Sequence, residues 1–382
     1  MRPVAIIGVG MTPVGEHWDK SVRMLGAEAV QLALADAHLD AVDALYLGNS
    51  YGTTFSSQSH LGALVADYAG LGNIEAYAIE AGDASGGAAL RTGYLAVASG
   101  AVNFAMVVGA EKSSDAIGSS RVEGRNVSLD ADFESIHGAT LPALAAMIMR
   151  RYMYEYGVDL SAFEGFSINA HANGKRNPLA MYRNIIKAGA FAKAPFVSDP
   201  VNLFDGAPDA DGAAAVILAP LEWAMDRVSQ PIKIGGSGVS TDTLAVHDRK
   251  DPLYLKAVAL SAQKALLQAG KTREEIDFLE LHDAFTILTT LSLEALGYAD
   301  RGAGYRLTDK IGLTGELPIC TFGGLKSRGN PTGATGVYQA VEATLQLRGQ
   351  ANENQVSNAK SALIQNLGGL ATTAITHVLE TI

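Results

Sequence analysis

Two ionisable residues stand at predicted junctions between elements, where reactive groups of α/β proteins collect. Asp83 lies in a turn of small residues, 81–87, directly before a predicted helix. A carboxylate in this place can cap the helix, a contribution of about 1 kcal/mol over alanine. It can also have a chemical role at the foot of a substrate channel, either as a general base or by imitating the charge of a carboxylated intermediate. His282 ends a predicted strand at the mouth of a sheet, where ligands bind in such proteins. Asp83 and His282 are therefore the first candidates for acid-base chemistry.

Three further residues have types that favour contact with a ligand. Asn330 begins a second turn of small residues, 330–336, and its amide either donates to a carbonyl oxygen or caps the helix that follows. Gly368 and Gly369 are adjacent, which indicates either a close approach of the backbone to a ligand or an ordinary turn. No His-x-x-x-His spacing occurs, so the sequence predicts no metal site.

The composition argues against several classes of protein. The chain has 382 residues, 48% of them hydrophobic, and a formal charge of -11, which favours a large core and disfavours nucleic-acid binding. Cys320 is the only cysteine, so no internal disulfide can form and we expect a reducing, cytoplasmic location. The first eight residues predict a strand, and their apolar run is too short for a signal peptide. No apolar run reaches the roughly 18 residues of a membrane span.

The elements that would position the candidate residues are predicted twice in the same order. Each half starts with a strand, a helix and a second strand, and then has a turn of small residues that leads into a further helix and strand. The predictions for the first half are 4–9, a helix through Leu25, Ala29 and Leu32, 42–49, 88–99 and 104–109; those for the second half are 232–239, 255–268, 276–283, a helix ending at 347 and 361–366. Such ordered matches indicate a duplication.

The duplication divides the chain into residues 1–228 and 229–382. Residues from about 113 to 200 have no counterpart in the second half and are predicted to form an inserted loop domain. The 41 glycines recur where strands give way to helices, which is typical of an α/β fold. We therefore expect mixed sheets with helices on both faces.

Six motifs resemble those of thiolases and follow one another in the same order. They are EAGDASGGA at 80–88, DGAAA at 211–215, HDAF at 282–285, GGLK at 323–326, GNPTGATG at 329–336 and QNLGG at 365–369. The resemblance covers the whole chain and is greatest with the sterol-carrier-protein and archaeal acetoacetyl-CoA thiolase branch. It implies a duplicated, five-layered αβαβα fold with two mixed five-stranded sheets, a homodimer, no covalently bound cofactor, and coenzyme A thioesters as substrates or ligands.

The resemblance also assigns site residues, two of which differ from the family pattern. Thiolases use a cysteine at the start of a buried helix as nucleophile and the histidine of a Gly-His-Pro sequence as its base. Asp83 matches that cysteine and Asn330 that histidine, whereas His282 matches an oxyanion-binding position and Gly368 lies in the C-terminal oxyanion loop. Because a carboxylate is a poor nucleophile and asparagine moves no proton near pH 7, these matches imply chemistry without an acyl-cysteine intermediate.

Cys320 is followed by a loop, residues 323–328, that contains two glycines and two basic residues. Cys320 ends an apolar stretch ten residues before Asn330, and we interpret it as a buried, inert thiol. Gly323 and Gly324, with Lys326 and Arg328, either line the mouth of the site for the CoA phosphates, next to Gly369 as a further substrate contact, or form a solvated basic loop.

Three functions are compatible with these residues. The first is an enzyme that makes or breaks a carbon-carbon bond next to a CoA thioester carbonyl, for example by retro-aldol cleavage, with His282 and backbone N–H groups polarising the carbonyl. Thiolase-like aldolases have also abandoned the cysteine, although they carry tyrosines at the positions of His282 and Asn330. The second is an acyl-CoA-binding or scaffold subunit that performs no chemistry and has a zinc-ribbon/OB-fold partner protein. The third is acetyl-CoA acetyltransferase activity, against which the missing nucleophile speaks.

Overall fold

A computed structural model describes residues 1–382, and its strands and helices alternate along most of the chain. The strands are β1 Val4–Met11, β2 Ala44–Gly48, β3 Glu75–Ile79, β4 Ala105–Glu111, β5 Phe196–Ser198, β6 Val201–Asn202, β7 Gly212–Pro220, β8 Ile232–Thr241, β9 Phe278–Glu280, β10 Ser361–Gly368 and β11 Thr373–Glu380. The α-helices are α1 Val22–Ala37, α2 Gly52–Phe55, α3 Leu61–Tyr68, α4 Ser85–Ser99, α5 Ser119–Asn126, α6 Leu141–Tyr156, α7 Glu164–Arg176, α8 Leu221–Met225, α9 Lys256–Ala269, α10 Thr286–Ala295, α11 Gly324–Ser327 and α12 Thr335–Leu347.

The strands form one large mixed sheet in the order β3-β2-β4-β7-β1-β8-β11-β10-β9, beside the small β5-β6 hairpin. Strand β2 is parallel to β3 and β4, and β10 is parallel to β9, whereas the other pairs are antiparallel. Two residue pairs between β1 and β8, Ala5 with Lys233 and Ile6 with Ile232, join the first five strands to the last four. The expected α/β fold with mixed sheets is confirmed.

The number of strands differs from the expected two sheets of five. The first part of the sheet has five strands, but beside β9 there is only an isolated bridge between Leu279 and Ile319. Pro318 has no N–H to donate, and Cys320 leaves the extended conformation with a φ of 50°. The backbone around Ile319 therefore pairs for a single step and forms no regular strand.

Three hydrophobic clusters separate five layers. One lies between α1, α3 and the outer face of the first five strands, and contains Ile7. Its neighbour Ile6 points to the opposite face, as side chains alternate in a strand, and belongs to the central cluster with α4 and α12. The third cluster packs α6, α9 and α10 on the far face of the last four strands. Helices α4 and α12 are thus buried between two layers of strands.

Glycines allow the two central helices to approach closely. A Cβ atom on Gly86 of α4 would lie 2.8 Å from the carbonyl oxygen of Gly333 and 3.0 Å from the nitrogen of Gly336 in α12. Only glycine permits this contact between backbones. The turns that precede α4 and α12, which carry Asp83 and Asn330, therefore come together in the middle of the molecule.

The proposed boundary between residues 228 and 229 falls in the loop between α8 and β8. Gly270 ends α9 in the left-handed conformation with a φ of 67°, as its position after the predicted helix indicates. None of the helices combines the length and the apolar composition needed to cross a bilayer.

Candidate active site

Asp83 is buried directly before α4, but it does not cap the helix. The N-cap residue is Ala84, and the Asp83 carboxylate accepts hydrogen bonds from Tyr51 Oη at 3.0 Å and Arg125 Nη2 at 3.1 Å. The helix N–H of Gly87 donates instead to Asn366 Oδ1 at 3.0 Å. The capping interpretation of Asp83 is therefore wrong, because distant partners satisfy both the carboxylate and the helix terminus.

Asn366 also determines which nitrogen of His282 carries a proton. Because the Gly87 N–H can only donate, the Asn366 amide is oriented with Oδ1 toward it, and Nδ2 then donates to the Asp83 carbonyl oxygen at 3.2 Å and to His282 Nδ1 at 3.1 Å. A neutral imidazole that accepts at Nδ1 has its proton at Nε2. Nε2 of His282 is buried and has no hydrogen-bond partner in the protein.

His282 is neutral in this setting. Burial, opposed in part by the Asp83 charge, lowers the pKa of His282 to about 4. At neutral pH the side chain therefore offers one free N–H donor beside the turn that carries Asp83. Such a donor suits a carbonyl oxygen on which negative charge develops.

Asn330 is connected to Asp83 through Asp209 and Arg125. Its backbone N–H donates to the Pro208 carbonyl oxygen at 3.0 Å, and its Oδ1 accepts from Thr335 Oγ1 at 3.0 Å. The N-cap of α12 is Ala334, so the alternative in which Asn330 caps that helix is wrong. With Oδ1 engaged, the two amide N–H groups are the part of the side chain able to donate to a ligand.

Gly368 and Gly369 lie against the Asp83 turn. A Cβ on Gly368 would be 2.4 Å from the carbonyl oxygen of Ala81, so this position needs glycine for close approach to protein backbone. Gly369 has a φ of 57° and occupies a turn in which the nearest atom to an added Cβ is Thr372 Oγ1 at 3.7 Å. Gly369 thus fits the explanation as an ordinary turn, whereas the backbone of Gly368 approaches other protein backbone and not a ligand.

The loop of Gly323, Gly324, Lys326 and Arg328 is buried, so the solvated-loop alternative is wrong. Lys326 Nζ donates to the Asp205 carbonyl oxygen, and Arg328 Nε lies 3.1 Å from Glu342 Oε1. These buried partners, distant in sequence, keep Arg328 from reaching a phosphate. Gly324 lies against a carboxylate, since an added Cβ would be 2.5 Å from Asp283, and Gly323 similarly contacts the backbone of α7.

Arg125, on α5, belongs to the site although nothing in the sequence singled it out. Its Nη2 contacts Asp83, its Nη1 lies 3.5 Å from Asp209 Oδ1, and its guanidinium lies 5.0 Å from the centre of the Tyr51 ring. Asp209 in turn forms a backbone bridge with Asn330. Arg125 lies in the insert, which has no counterpart in the other half, so the duplication that pointed to Asp83 and Asn330 gave no signal here.

A cavity of about 910 Å³ leads to this group. Apolar side chains make up much of its wall, and Arg121, Arg125, Lys187 and Lys326 contribute positive charge. Of the eight predicted site residues only Lys326 lines the cavity; the others lie beyond its wall. Arg125 and Asp209 connect the two regions, because they line the cavity and also adjoin Asp83 and Asn330.

Two histidines of the insert and the cysteine occupy different environments. His171 lines the cavity, with Nδ1 2.8 Å from the Asn184 carbonyl oxygen, whereas His137 is exposed. Cys320 is buried, its Sγ lies 3.7 Å from the Leu281 carbonyl oxygen, and burial raises the pKa of its thiol. The interpretation of Cys320 as a buried thiol is confirmed. No cluster of three or more His, Cys, Asp or Glu side chains is arranged to hold a metal ion.

Comparison with known families agrees with this fold. The profile described as "Thiolase, N-terminal domain" matches residues 4–192, and the one described as "Thiolase C-terminal domain-like" matches residues 238–381. The chain belongs to the thiolase family. The resemblance drawn from the six sequence motifs is thereby confirmed.

The relatives of this chain have names of two kinds. It is 39% identical over 385 residues to an acetyl-CoA acetyltransferase of Methanothermobacter thermautotrophicus, covering 100% of both chains. It is 28% identical to the 17-hydroxy-3-oxo-4-pregnene-20-carboxyl-CoA lyase of Mycobacterium tuberculosis, over 97% of this chain and 98% of that one. The solved structure named "Ltp2-ChsH2(DUF35) aldolase" is similar with a TM-score of 0.86 and 25% identity, over 99% of this chain and 98% of the other.

Proposed function

We propose that the protein acts on acyl-CoA thioesters and makes or breaks a carbon-carbon bond next to the thioester carbonyl without an acyl-cysteine intermediate. The observation that carries this proposal is the neutral His282, whose buried Nε2–H has no partner and which shares the Asn366 amide with Asp83. Cys320, the only thiol, is buried beside the Leu281 carbonyl oxygen, and the chain has Asp83 and no cysteine in the turn before α4. The site thus offers a donor for a carbonyl oxygen and a carboxylate in place of a sulfur nucleophile.

Retro-aldol cleavage of a 3-hydroxyacyl-CoA is the reaction that fits best. The Asp83 carboxylate accepts the proton of the 3-hydroxyl group, and the bond between C2 and C3 breaks. Its electron pair moves onto C2 and the thioester oxygen, where the His282 N–H stabilises the enolate. C3 leaves as an aldehyde or ketone, and the enolate takes at C2 the proton that Asp83 received, which restores the carboxylate. The reverse sequence forms the bond, and neither direction needs an oxidant or a reductant.

The experiment separates this chemistry from that of an acyltransferase. Acetyl-CoA and acetoacetyl-CoA are incubated with the protein, acyl exchange is followed, and the intact protein is weighed by mass spectrometry. We expect no exchange and no added acyl mass. A 3-hydroxyacyl-CoA should then yield an aldehyde or ketone, and both His282→Ala and Asp83→Ala should lose that activity. Exchange with an acylated side chain would instead support the activity named for the archaeal relative.

A second candidate is an acyl-CoA-binding or scaffold subunit of a complex. The observation in its favour is the likeness, over nearly the whole chain, to a structure whose name joins two proteins. A small zinc-ribbon/OB-fold protein that presents acyl-CoA is the partner we propose. Binding of acyl-CoA without turnover, together with co-purification of such a protein, is the outcome that would favour this function.

We also propose a homodimer formed through the free edge of β3. This strand ends the sheet, pairs only with β2, and has three exposed residues among its five, including Tyr77 at 44% exposure. An uncovered edge strand can pair with a second copy. Light scattering should give twice the mass of 39.8 kDa, and Ala76→Pro, which removes a donor from the edge, should weaken the dimer.

A further inference from the structure

Arg125 links the large cavity to the proposed reactive group. Its Nη2 is engaged by Asp83, but its Nη1 is buried without a hydrogen bond, since Asp209 Oδ1 at 3.5 Å is too far for a good one. The side chain is only 14% exposed and lines the cavity wall. A buried donor without an acceptor costs roughly 1–3 kcal/mol, so an acceptor from a ligand would be favoured at this atom.

The guanidinium is held rigidly, which makes it suitable for recognising a ligand. Asp83 fixes one edge, and the ring of Tyr51 lies against its face. Tyr51 itself donates to Asp83 at 3.0 Å, so all three side chains hold one another in place. A donor fixed in advance loses little conformational entropy when a ligand binds.

The charges near Arg125 favour a neutral ligand oxygen. One cation faces two carboxylates, Asp83 and Asp209, so this group carries a net charge of about -1 and repels an anion. A hydroxyl or keto oxygen avoids this repulsion and still accepts the free N–H. His282 provides a second unpartnered N–H donor near Asp83. Two donors suit an acyl chain with two oxygens.

We infer that Arg125 determines specificity by donating from Nη1 to a neutral oxygen on C3 of the acyl chain, while His282 binds the thioester oxygen. The assignment of the thioester to His282 rests on the proposed function. The selection of a C3 oxygen by Arg125 is a property of binding and does not depend on turnover. Arg125 is therefore a specificity-determining residue, and the oxygen on C3 is the feature of the acyl chain that it selects.

Calorimetry with 3-hydroxybutanoyl-CoA and butanoyl-CoA tests this inference. The unaltered protein should bind the hydroxylated thioester about tenfold or more tightly, the range of a hydrogen bond to a charged group. Arg125→Met should bring the ratio of the two Kd values close to one. Arg121→Met is the matched control, because Arg121 lies one turn earlier on α5 and also lines the cavity. This control variant should weaken the binding of both thioesters by a similar factor and leave the ratio of their Kd values unchanged.

The Arg125→Lys variant keeps a cation beside Asp83 but lacks Nη1, so it tests the inference if Arg125→Met does not fold. Its ratio of the two Kd values should also fall toward one. A ratio near one in the unaltered protein, or one that survives in Arg125→Lys or Arg125→Met, overturns the role of Arg125. Selective binding without product would contradict the proposed reaction while supporting the role of Arg125.

Discussion

Nδ2 of Asn366 lies 3.1 Å from Nδ1 of His282, and this bond assigns the imidazole proton to Nε2. The same amide nitrogen donates to the Asp83 carbonyl oxygen, while its oxygen accepts from Gly87. Every group of the Asn366 side chain is therefore used. The Asn366 amide thus connects the N-terminus of α4 to His282, the residue that we propose as the oxyanion donor.

Replacing Asn366 with alanine should allow His282 to change its tautomer. Without the amide donor, the proton of His282 can move to Nδ1, and turnover should fall by about tenfold or more, the effect of losing one preorganised donor. Long-range ¹⁵N–¹H spectra of labelled histidine report the tautomer, with His282→Gln to identify the signal. Gln365→Ala removes a buried amide from the same strand and should leave the tautomer unchanged. An unchanged tautomer and full turnover in Asn366→Ala would contradict the assignment.

The free energy of unfolding should decrease as the pH falls, because two histidines are buried in their neutral form. Burial lowers the pKa values of His282 and His377 to about 4 each, below the ordinary 6.5. Between pH 6.5 and 4 the unfolded chain binds protons that the folded chain excludes, so each residue's stabilising contribution is complete above pH 6.5 and is lost as the pH falls. The loss is on the order of 3 kcal/mol per residue.

Denaturant unfolding at a series of pH values measures this effect. His377 Nε2 lies 3.3 Å from the Gly87 carbonyl oxygen, a contact that a glutamine amide can replace. His377→Gln should therefore decline less steeply than the unaltered protein between pH 6.5 and 4. Parallel curves for the two proteins would show that His377 is not buried in its neutral form.

Cys320 should behave as an inert core residue. With its thiol buried and its pKa raised, it should react with a disulfide reagent much more slowly in the native state than in denaturant. Cys320→Ala should keep turnover within about twofold, with some loss of stability from the smaller side chain. Fast native labelling, or abolished turnover in the variant, would require a chemical role for the sulfur.

Gly368→Ala should damage the site through its contact with the Asp83 turn. The added Cβ would lie 2.4 Å from the Ala81 carbonyl oxygen, so the turn must shift, at a cost of roughly 1–3 kcal/mol in unfolding free energy. Gly312→Ala is the matched control, because an added Cβ there meets no atom within 4 Å. Thermal melting and turnover should both fall in the first variant only. Equal behaviour of the two variants would mean that the close contact does not constrain the turn.

The sequence was sufficient to predict the alternating α/β fold, and it identified Asp83 and His282 separately, which the Asn366 amide joins in the structure. The turns before α4 and α12, which match each other in the predicted order of elements, meet at the Gly86 contact, so that order supplied long-range information about Asp83 and Asn330. The choice between a cap and a chemical role for Asp83 could not be made from the sequence, because local propensity says nothing of Tyr51 and Arg125, which lie 32 and 42 residues away. The solvated-loop alternative for Lys326 and Arg328 rested on the rule that charge usually indicates exposure, whereas Asp205 and Glu342 compensate these residues in the interior.

The glycine contact between α4 and α12 has a consequence for how this scaffold changes in evolution. Because the two backbones touch at Gly86, neither helix can slide or tilt without the other. The residue that precedes α4 is consequently delivered to one fixed point in space, whatever its side chain. A single exchange at that point replaces one reactive group with another and leaves the framework unaltered, so related proteins can diverge in chemistry long before they diverge in shape.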